Sequence, residues 1–485
     1  MPPQSFVTSL RLVTSLKLVD PIMNTCRNTF TSMSRRGMLQ NTAAGFGWLA
    51  FAAMNAKLAQ AVTGYTSPLT PKSSHFPGKA KRVIFLFMQG GPSHLDTFDW
   101  KPELMKNGGK TSSDNDKAKA GKLLAPQFKF APQGQSGLPI SELFPELSRH
   151  ADDLCLLNGM HTSNAAHPQA TIALHTGSVN FVRPSIGSWV TYGLGSESEN
   201  LPGFVTINPV GLGGAQNYGS SFLPASYQGT RIDLAAGGIL DIRNRHLGHE
   251  RQRTQIDLIQ DMNRDLLEKH PGRLELDGVI QSFELAYRMQ TSVPTVLNLD
   301  AEKAATLERY GLNDESTREF GTQCLMARRL AESGVRFIQV SKGGWDQHNS
   351  LRSGLTKNCG GVDRPIAALL QDLKDRDMLQ ETLVVWGGEF GRSPQDQANS
   401  GDGRRHNNQG YTMWMAGGGV KGGIRYGATD EMGGTSVSGK VSTHDLHATM
   451  LHLLGFDHTK LTYRYAGRDF RLTDVYGDVA TDILA

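Results

Sequence analysis

Short apolar runs, each followed by glycines or polar residues, recur along this chain. A continuous apolar run of about four to eight residues, bounded by turn-forming residues, is typical of a strand buried on both faces. The runs lie in RVIFLFMQGG (82–91), DDLCLLNGMHTSNAAH (152–167), LPGFVTINPV (201–210), VRFIQV (335–340), ETLVVWGG (381–388) and YTMWMAGGG (411–419). Each is therefore predicted to be a strand that leads into a polar loop.

Segments of helical periodicity separate these strands. Apolar residues three and four positions apart predict helices over 250–291, 301–333, 361–378 and 443–454, and a shorter one over PQATIALHTG after the second run. Strands that alternate with helices predict an α/β fold, with a mostly parallel central sheet sandwiched by helices.

Composition divides the chain into three parts. Residues 62–80 are rich in Ser, Pro and Lys and predict a linker. Residues 81–485 predict a single α/β domain with insertions, one of them the Lys-, Gly- and Asn-rich stretch 106–138.

Residues 1–61 predict an export signal. Arg35 and Arg36 precede a glycine- and alanine-rich apolar run that ends in AQA, which is typical of a twin-arginine signal with a small-residue cleavage site. A membrane anchor is the alternative, but polar residues interrupt the run, which is shorter than the ~20 residues of a spanning helix. A start at Met33 would give a leader of ordinary length, so 1–32 is an over-extended start or an unusual n-region. We expect export by the twin-arginine machinery to the periplasm or the extracellular space.

The positive charge of the chain lies in this leader. Residues 1–61 hold six of the 50 basic and one of the 46 acidic residues, which leaves 44 basic against 45 acidic in the remainder. A net charge of −1 over the remainder does not support a nucleic-acid-binding surface.

Metal-binding side chains follow most of the predicted strands. Ligands of open α/β sheets bind at the carboxyl ends of the strands, so these residues meet if the strands lie side by side. The candidates are His94 and Asp96 after the first run, His161, Thr162, Ser163 and His167 after the second, Asp346 and His348 in GGWDQHNS, Glu389 in GGEFGRSP, and His406 in GRRHNNQG. Carboxylate and imidazole ligands together predict zinc or manganese, whereas an all-oxygen site would favour calcium or magnesium.

Each of these candidates also has an ordinary structural interpretation. Asp346 and His348 can form a polar turn, and His406 can be a surface histidine. Glu389 can pair with nearby Arg392 instead of a metal. Arg392 is itself a candidate for binding a sulfate or phosphate oxyanion through its planar guanidinium.

Thr162 and Ser163 precede a predicted helix and are candidates for a nucleophile. They can cap that helix, or one of them can be activated by a metal near the helix N-terminus. His444 opens the last predicted helix and is a further candidate ligand. The chain has no P-loop and no GxSxG elbow, and no GxGxxG fingerprint opens an early helix, so neither a nucleotide fold nor an α/β-hydrolase is predicted.

Seven segments resemble one protein family. They are FMQGGPSHLDTFDWKPEL, MHTSNAAH, RPSIGSWVTYGLGSESENLPGF, GGWDQHN, VVWGGEFGRSP, MWMAGGGVKGG and HDLHATMLHLLGFDHTKLTYRYAGRDFRLTDV. From about residue 80 to the C-terminus the chain resembles the exported proteins catalogued as domain of unknown function 1501. That family is similar in fold to the alkaline phosphatase and sulfatase superfamily. The resemblance implies a metal-dependent hydrolase of phosphate or sulfate esters, with metals at the strand ends.

The resemblance also implies roles by position. The first metal ligand would be near His94 or Asp96, and the metal-binding pair would be Asp346 and His348. The further acidic ligand would be Glu389, and the late histidine ligand would be His406. The nucleophile would be Thr162 or Ser163. Two departures put this pattern in question. Phe390 stands where the superfamily often has a histidine, and Arg405 stands where related members have an acid. No cysteine is followed by x-P-x-R, so a formylglycine-type sulfatase is disfavoured.

Two functions follow from these observations. The first is an exported metal-dependent hydrolase of a phosphate or sulfate ester, on a substrate class that includes sulfated or phosphorylated polysaccharide. The alternative, which Phe390 and Arg405 favour, is a non-catalytic envelope protein that binds anionic glycans on the same scaffold. Substrate, metal and oligomeric state stay open at this point.

Overall fold

The computed structural model describes residues 68–485 except 113–120, 236–237, 240–241, 243, 245, 271–273 and 398–400. The predicted export signal, and the first part of the predicted linker, lie outside the described residues. Residues 68–80 of that linker contact the domain: Lys72 N–H donates to the Leu194 carbonyl, and Ala80 N–H donates to the Leu453 carbonyl, both at 2.9 Å.

The apolar runs form strands. The strands are β1 (Arg82–Met88), β2 (Phe130–Gln133), β3 (Leu138–Ser141), β4 (Leu154–His161), β5 (Phe204–Ile207), β6 (Thr230–Ile232), β7 (Phe337–Lys342), β8 (Thr382–Gly387), β9 (Gly391–Asp396), β10 (Arg404–Asn407), β11 (Tyr411–Ala416), β12 (Ile424–Tyr426), β13 (Ala428–Thr429), β14 (Ser436–Ser438), β15 (Val441–Ser442), β16 (Tyr463–Tyr465) and β17 (Arg468–Phe470).

Helices connect and cover these strands. The helices are α1 (His94–Thr97), α2 (Pro102–Asn107), α3 (His167–Thr176), α4 (Ile186–Leu194), α5 (His249–Lys269), α6 (Leu274–Leu297), α7 (Ala304–Arg309), α8 (Glu315–Glu332), α9 (Leu351–Asp375) and α10 (Thr443–Leu453). None of the helices in the described ranges is long and apolar enough to cross a membrane.

The predicted central sheet is confirmed. Its strands run in the order β12-β4-β11-β8-β1-β7-β5-β6, with β15 beside β4. Strand β11 is antiparallel to β4 and β8, and the other pairings in this sheet are parallel. Every residue of β8 and of β11 is buried. A sheet covered on both faces produces continuous apolar runs instead of alternating ones, as the sequence pattern indicated.

Three helix predictions are wrong in their boundaries. The region predicted as helical over 250–291 holds two helices, α5 and α6, and the region 301–333 also holds two, α7 and α8. Helix α9 begins at Leu351 and not at 361, because Leu351, Leu355 and Cys359 are spaced four apart and bury one face. This packing continues the helix across a pair of glycines.

The strand register brings the polar loops to one edge of the sheet. Met88 at the end of β1 lies opposite Lys342 of β7, and Phe87 lies opposite Gly387 of β8. The loops that follow these three strands therefore leave the sheet side by side. An antiparallel pair that the sequence pattern did not predict, β9 and β10, lies beyond β8 and places Arg392 opposite His406.

A buried histidine joins helix α3 to helix α10. His447 is 1% exposed, and its Nε2–H donates to the Leu174 carbonyl at 2.8 Å. Burial lowers the pKa of His447 to about 3, so the ring is neutral in the folded protein at neutral pH.

This burial predicts a pH-dependent stability. Between about pH 6.5 and about pH 3 the unfolded chain binds a proton at His447 that the folded chain does not, so the free energy of unfolding falls as the pH drops below about 6.5. Urea unfolding at about pH 7 and about pH 5 measures the decline, which we expect to be smaller in His447→Gln. The half-buried His452→Gln, in the same helix, is the control. An equal decline in the wild type and His447→Gln would contradict the assignment.

Candidate metal centre

Four side chains converge at the carboxyl edge of the sheet: His167, Asp346, His348 and His406. One ligand atom from each lies within 4.8 Å of the others. Asp346 Oδ1 lies 3.2 Å from Nε2 of His167, 3.1 Å from Nε2 of His348 and 3.4 Å from Nε2 of His406. The Nε2 atoms of His348 and His406 are 2.8 Å apart. We refer to these four residues as the His/Asp cluster.

Three separate segments supply the cluster. Asp346 and His348 lie in the loop after β7, His406 lies on β10, and His167 is the first residue of α3. Glycines let these segments approach closely. A Cβ atom on Gly90, whose φ is +117°, would lie 2.5 Å from the Asp346 nitrogen, and one on Gly403 would lie 1.7 Å from the His348 carbonyl oxygen.

Each imidazole of the cluster is oriented by an acceptor at its Nδ1. The His167 Nδ1 lies 2.5 Å from Glu389 Oε1, and the His348 Nδ1 lies 3.1 Å from Gln397 Oε1. The His406 Nδ1 lies 2.8 Å from the Ala165 carbonyl oxygen. A ring that donates Nδ1–H to an oxygen carries its lone pair on Nε2. Three Nε2 lone pairs therefore face Asp346, which is the second-sphere arrangement typical of metal-binding histidines.

The geometry fits a metal. Metal–ligand bonds of about 2.0–2.1 Å in a tetrahedral site imply ligand atoms about 3.3–3.4 Å apart. The separations from Asp346 Oδ1, 3.1–3.4 Å, are close to this value. The 2.8 Å between Nε2 of His348 and Nε2 of His406 is shorter than this value and is a hydrogen-bond distance, so a proton lies between the two nitrogens when no metal is bound. Three nitrogens and one oxygen suit zinc or manganese.

The protonation states of Asp346 and His406 also favour metal binding. Burial alone would raise the pKa of Asp346, but its hydrogen bond to Arg392 and the Arg392 charge lower it to about 2. Burial, together with the charges of Arg392 and the neighbouring histidines, lowers the pKa of His406 to about 4. Burial would lower the pKa of His167, but the hydrogen bond and charge of Glu389 outweigh it and raise the pKa. Near neutral pH Asp346 is ionised and His406 is neutral, the forms that bind a metal.

Arg392 has a different place from the one that the sequence suggested. Its guanidinium is fully buried, and it donates to Asp346 Oδ1 at 2.6 Å and to the Gly91 carbonyl at 2.9 Å. It also bonds the carbonyl oxygens of Gly90 and Trp345. Arg392 therefore holds Asp346 in position and has no free face for a substrate oxyanion, contrary to its predicted role in binding one.

Glu389 lies behind the cluster and does not contribute one of its four ligand atoms. Its carboxylate is 0% exposed and accepts from His167 Nδ1 and from the Gly90 N–H at 3.0 and 3.1 Å. Glu389, which was predicted to bind the metal, therefore orients His167, a member of the His/Asp cluster. The adjacent Phe390 packs its ring against His167 and His406, with ring centroids 4.6 and 4.8 Å apart.

His94 and Asp96 lie outside the cluster, contrary to their predicted roles. His94 Nε2 contacts the Gly433 carbonyl at 2.9 Å. Asp96 accepts from Arg404 Nε at 2.8 Å, and both side chains are 0% exposed. The Asp96 carboxylate also accepts from Ser93 and from the backbone of Gln127. A buried ion pair, and not a metal, accounts for this carboxylate.

Thr162, Ser163 and His444 line a cavity of about 510 Å³ next to the loop that supplies His167. Ser163 is exposed, whereas the buried Thr162 hydroxyl lies 3.4 Å from that of Thr443. His444 Nε2 contacts the Gly177 carbonyl at 2.9 Å, so this predicted ligand belongs to the cavity and not to the cluster. The same loop carries Ala165, whose carbonyl orients His406.

Two contributors to the centre were missed or undervalued by the sequence analysis. The sequence names His167 among the candidates after the second run, but the resemblance assigns it no place in the ligand set. The local sequence does indicate a ligand role for His167, because its imidazole begins a helix beyond the carboxyl end of a predicted strand. Gln397, which orients His348, carried no signal, because nothing in its local sequence distinguishes it from a surface glutamine.

The Asp96–Arg404 pair predicts a structural effect without an effect on the cluster. In Asp96→Ala the Arg404 guanidinium stays buried without its counter-charge, so we expect the free energy of unfolding to fall by about 3–5 kcal/mol, with unchanged metal content per folded molecule. Urea unfolding and elemental analysis measure the two effects. Asp96→Ala/Arg404→Met should recover much of the loss. If Asp96→Ala lost its metal while its free energy of unfolding stayed unchanged, Asp96 would be a metal ligand after all.

Several solved structures are similar to this chain at low identity. They include the lipoteichoic acid synthase LtaP from Listeria monocytogenes (11% identity, 86% of this chain and 80% of that chain, TM-score 0.36), the PsFucS1 sulfatase from Pseudoalteromonas sp. (12%, 84% and 72%, TM-score 0.36) and the alkaline phosphatase from the Antarctic bacterium TAB5 (10%, 70% and 92%, TM-score 0.30). These values are too low to support an inference about chemistry.

No curated protein matches the chain. The family model described as "Protein of unknown function (DUF1501)" matches residues 80–484. That match covers most of the chain and the whole of the His/Asp cluster. The protein therefore belongs to the DUF1501 family, as its sequence motifs predicted.

Proposed function

We propose that this protein is an exported hydrolase of phosphate or sulfate esters that depends on a divalent metal held by His167, Asp346, His348 and His406. The observation that supports it is the convergence of three oriented Nε2 atoms on one carboxylate oxygen. Such a donor set suits zinc or manganese. The predicted twin-arginine leader, with Arg35 and Arg36 before an apolar run, supports export.

The exposure of the cluster favours chemistry over a purely structural metal. The side chains of Asp346, His348 and His406 are 46%, 30% and 26% exposed, so a substrate oxygen can reach them from solvent. Structural zinc sites are closed, whereas catalytic ones keep an open position. A metal bound there would polarise the ester and lower the pKa of a hydroxyl or water nucleophile.

The protein's own residues would hold and orient the reacting groups. Arg392 fixes Asp346, and Glu389 fixes His167, so neither ligand turns away when substrate binds. Of the two nucleophile candidates, Ser163 is the better placed, because its side chain is exposed while Thr162 is 8% exposed and faces Thr443. Ser163 lines the cavity and lies four residues before His167 along the chain.

A non-catalytic envelope protein that binds anionic glycans is the second candidate. Phe390 supports it, because an apolar ring packs against His167 and His406 where the related superfamily often has another histidine. Such a protein would bind esters without turnover.

The metal site is tested by comparing two half-buried histidines. We expect His406→Ala to lose most of its metal and its activity on p-nitrophenyl phosphate or sulfate, because one of four ligand atoms is removed. His444→Ala, at the cavity, should keep its metal content. Elemental analysis of natively exported protein and a chromogenic assay with zinc or manganese give the readouts. Metal content unchanged in His406→Ala contradicts the site, and a metal-loaded wild type without turnover on a broad ester panel favours the binding protein.

The orienting role of Glu389 gives a separate prediction. In Glu389→Gln the hydrogen-bond acceptor remains but the negative charge beside His167 is lost, so we expect metal affinity to fall by about 10–100-fold. Competition with a chromogenic chelator measures it. Asp153→Asn, a partly exposed carboxylate paired with Lys374, is the matched control. An affinity equal to the wild type would remove Glu389 from the centre.

A further inference from the structure

An arginine that makes no hydrogen bond and no ion pair among the described residues lies against Phe181, a residue that lines the cavity that holds Ser163. The Arg183 guanidinium carbon lies 5.3 Å from the ring centroid of Phe181 and 4.3 Å from that of Phe470. Across the described part of the chain, no carboxylate lies within ion-pair distance of Arg183. The nearby Asp474 is bonded to Arg468 instead. Arg183 therefore keeps its hydrogen-bond donors for another molecule.

The surroundings of Arg183 belong to the cavity. Phe181, Asp474 and Tyr476 line it together with Thr162 and Ser163. Phe181 is 64% exposed and Tyr476 is 62% exposed. Exposed aromatic rings grouped around a concave site are typical of a surface that a ligand covers. We refer to Phe181, Arg183, Phe470 and Tyr476 as the aromatic rim.

The chemistry of the aromatic rim restricts its ligand. A planar guanidinium held against aromatic faces is pre-organised to bind a carboxylate, sulfate or phosphate with two parallel hydrogen bonds. The exposed rings offer flat apolar surfaces beside that charge. A matching ligand has an anionic group and an apolar face a few ångströms apart, as an anionic sugar ring does. A small inorganic ester would leave the rings uncovered.

We propose that the aromatic rim binds an anionic sugar unit of a polysaccharide, with Arg183 on the anionic group and the aromatic rings against the sugar face. This inference rests on the proposed function, since a polymer held there would place a neighbouring ester in the cavity with Ser163. The inference assigns recognition of the substrate class to residues outside the His/Asp cluster. Arg183 is the residue that sets specificity for anionic polymers.

Binding of labelled dextran sulfate, measured by fluorescence anisotropy in EDTA, tests the inference without turnover. The wild type should bind dextran sulfate and not neutral dextran of equal length. We expect Arg183→Gln to bind about tenfold or more weakly, with Arg183→Lys in between, because lysine keeps the charge but not the planar fork. Phe181→Ala should also weaken binding. Arg149→Gln, at an exposed arginine paired with Glu146, is the matched control and should bind as the wild type.

Three outcomes would overturn the inference: equal binding by the wild type and Arg183→Gln, equal binding of dextran and dextran sulfate, or tighter binding of a single-stranded oligonucleotide. The two proposals fail separately. Asp346→Ala should keep its dextran sulfate affinity while losing hydrolysis. If the polymer binds and binding depends on Arg183, but no ester is hydrolysed, only the proposed function is contradicted. If esters are hydrolysed but polymer binding is the same in Arg183→Gln, only the role of the aromatic rim is contradicted.

Discussion

One buried guanidinium, that of Arg392, ties together the loops from which the candidate centre is built. It donates to the carbonyl oxygens of Gly90 and Gly91 after β1, to the Trp345 carbonyl after β7, and to Asp346 itself. Each acceptor is a polar group that would be costly to bury without a partner. The position of Asp346 therefore depends on three strands at once, and not on the turn in which it lies.

The charges around Arg392 leave a place for a cation. Asp346 and Glu389 are two carboxylates close to one guanidinium, and the imidazoles of the cluster are oriented with lone pairs inward. With neutral imidazoles the centre has one negative charge in excess, which favours a bound cation. The contrasting pair Asp96–Arg404 is balanced, fully buried and closed to ligands. Asp96 and Asp346 both follow predicted strands, but their surroundings differ. Asp346 shares the Arg392 guanidinium with Glu389, whereas in the described part of the chain Asp96 is the sole carboxylate paired with Arg404.

The loop from His161 to His167 connects the chemistry to the cavity. Its first residues line the cavity, the Ala165 carbonyl orients His406, and its last residue enters the His/Asp cluster. A change of position in this short segment would move a candidate nucleophile and a candidate ligand together. The aromatic rim borders the same cavity through Phe181 and Tyr476, so the candidate hydroxyl groups and the rim share one space.

The central sheet could be predicted from the sequence, because continuous apolar runs bounded by glycine leave few alternatives to buried strands. It also identified Asp346, His348 and His406, since imidazoles and a carboxylate at strand ends are informative locally. Whether Glu389, Arg392, His167 and Asp96 bind a metal or pair with another side chain depended on the fold. The role of a charged side chain is set by its nearest opposite charge or acceptor, and for Asp96 and Glu389 that partner lies some 300 and 220 residues away. No local pattern encodes such a pairing.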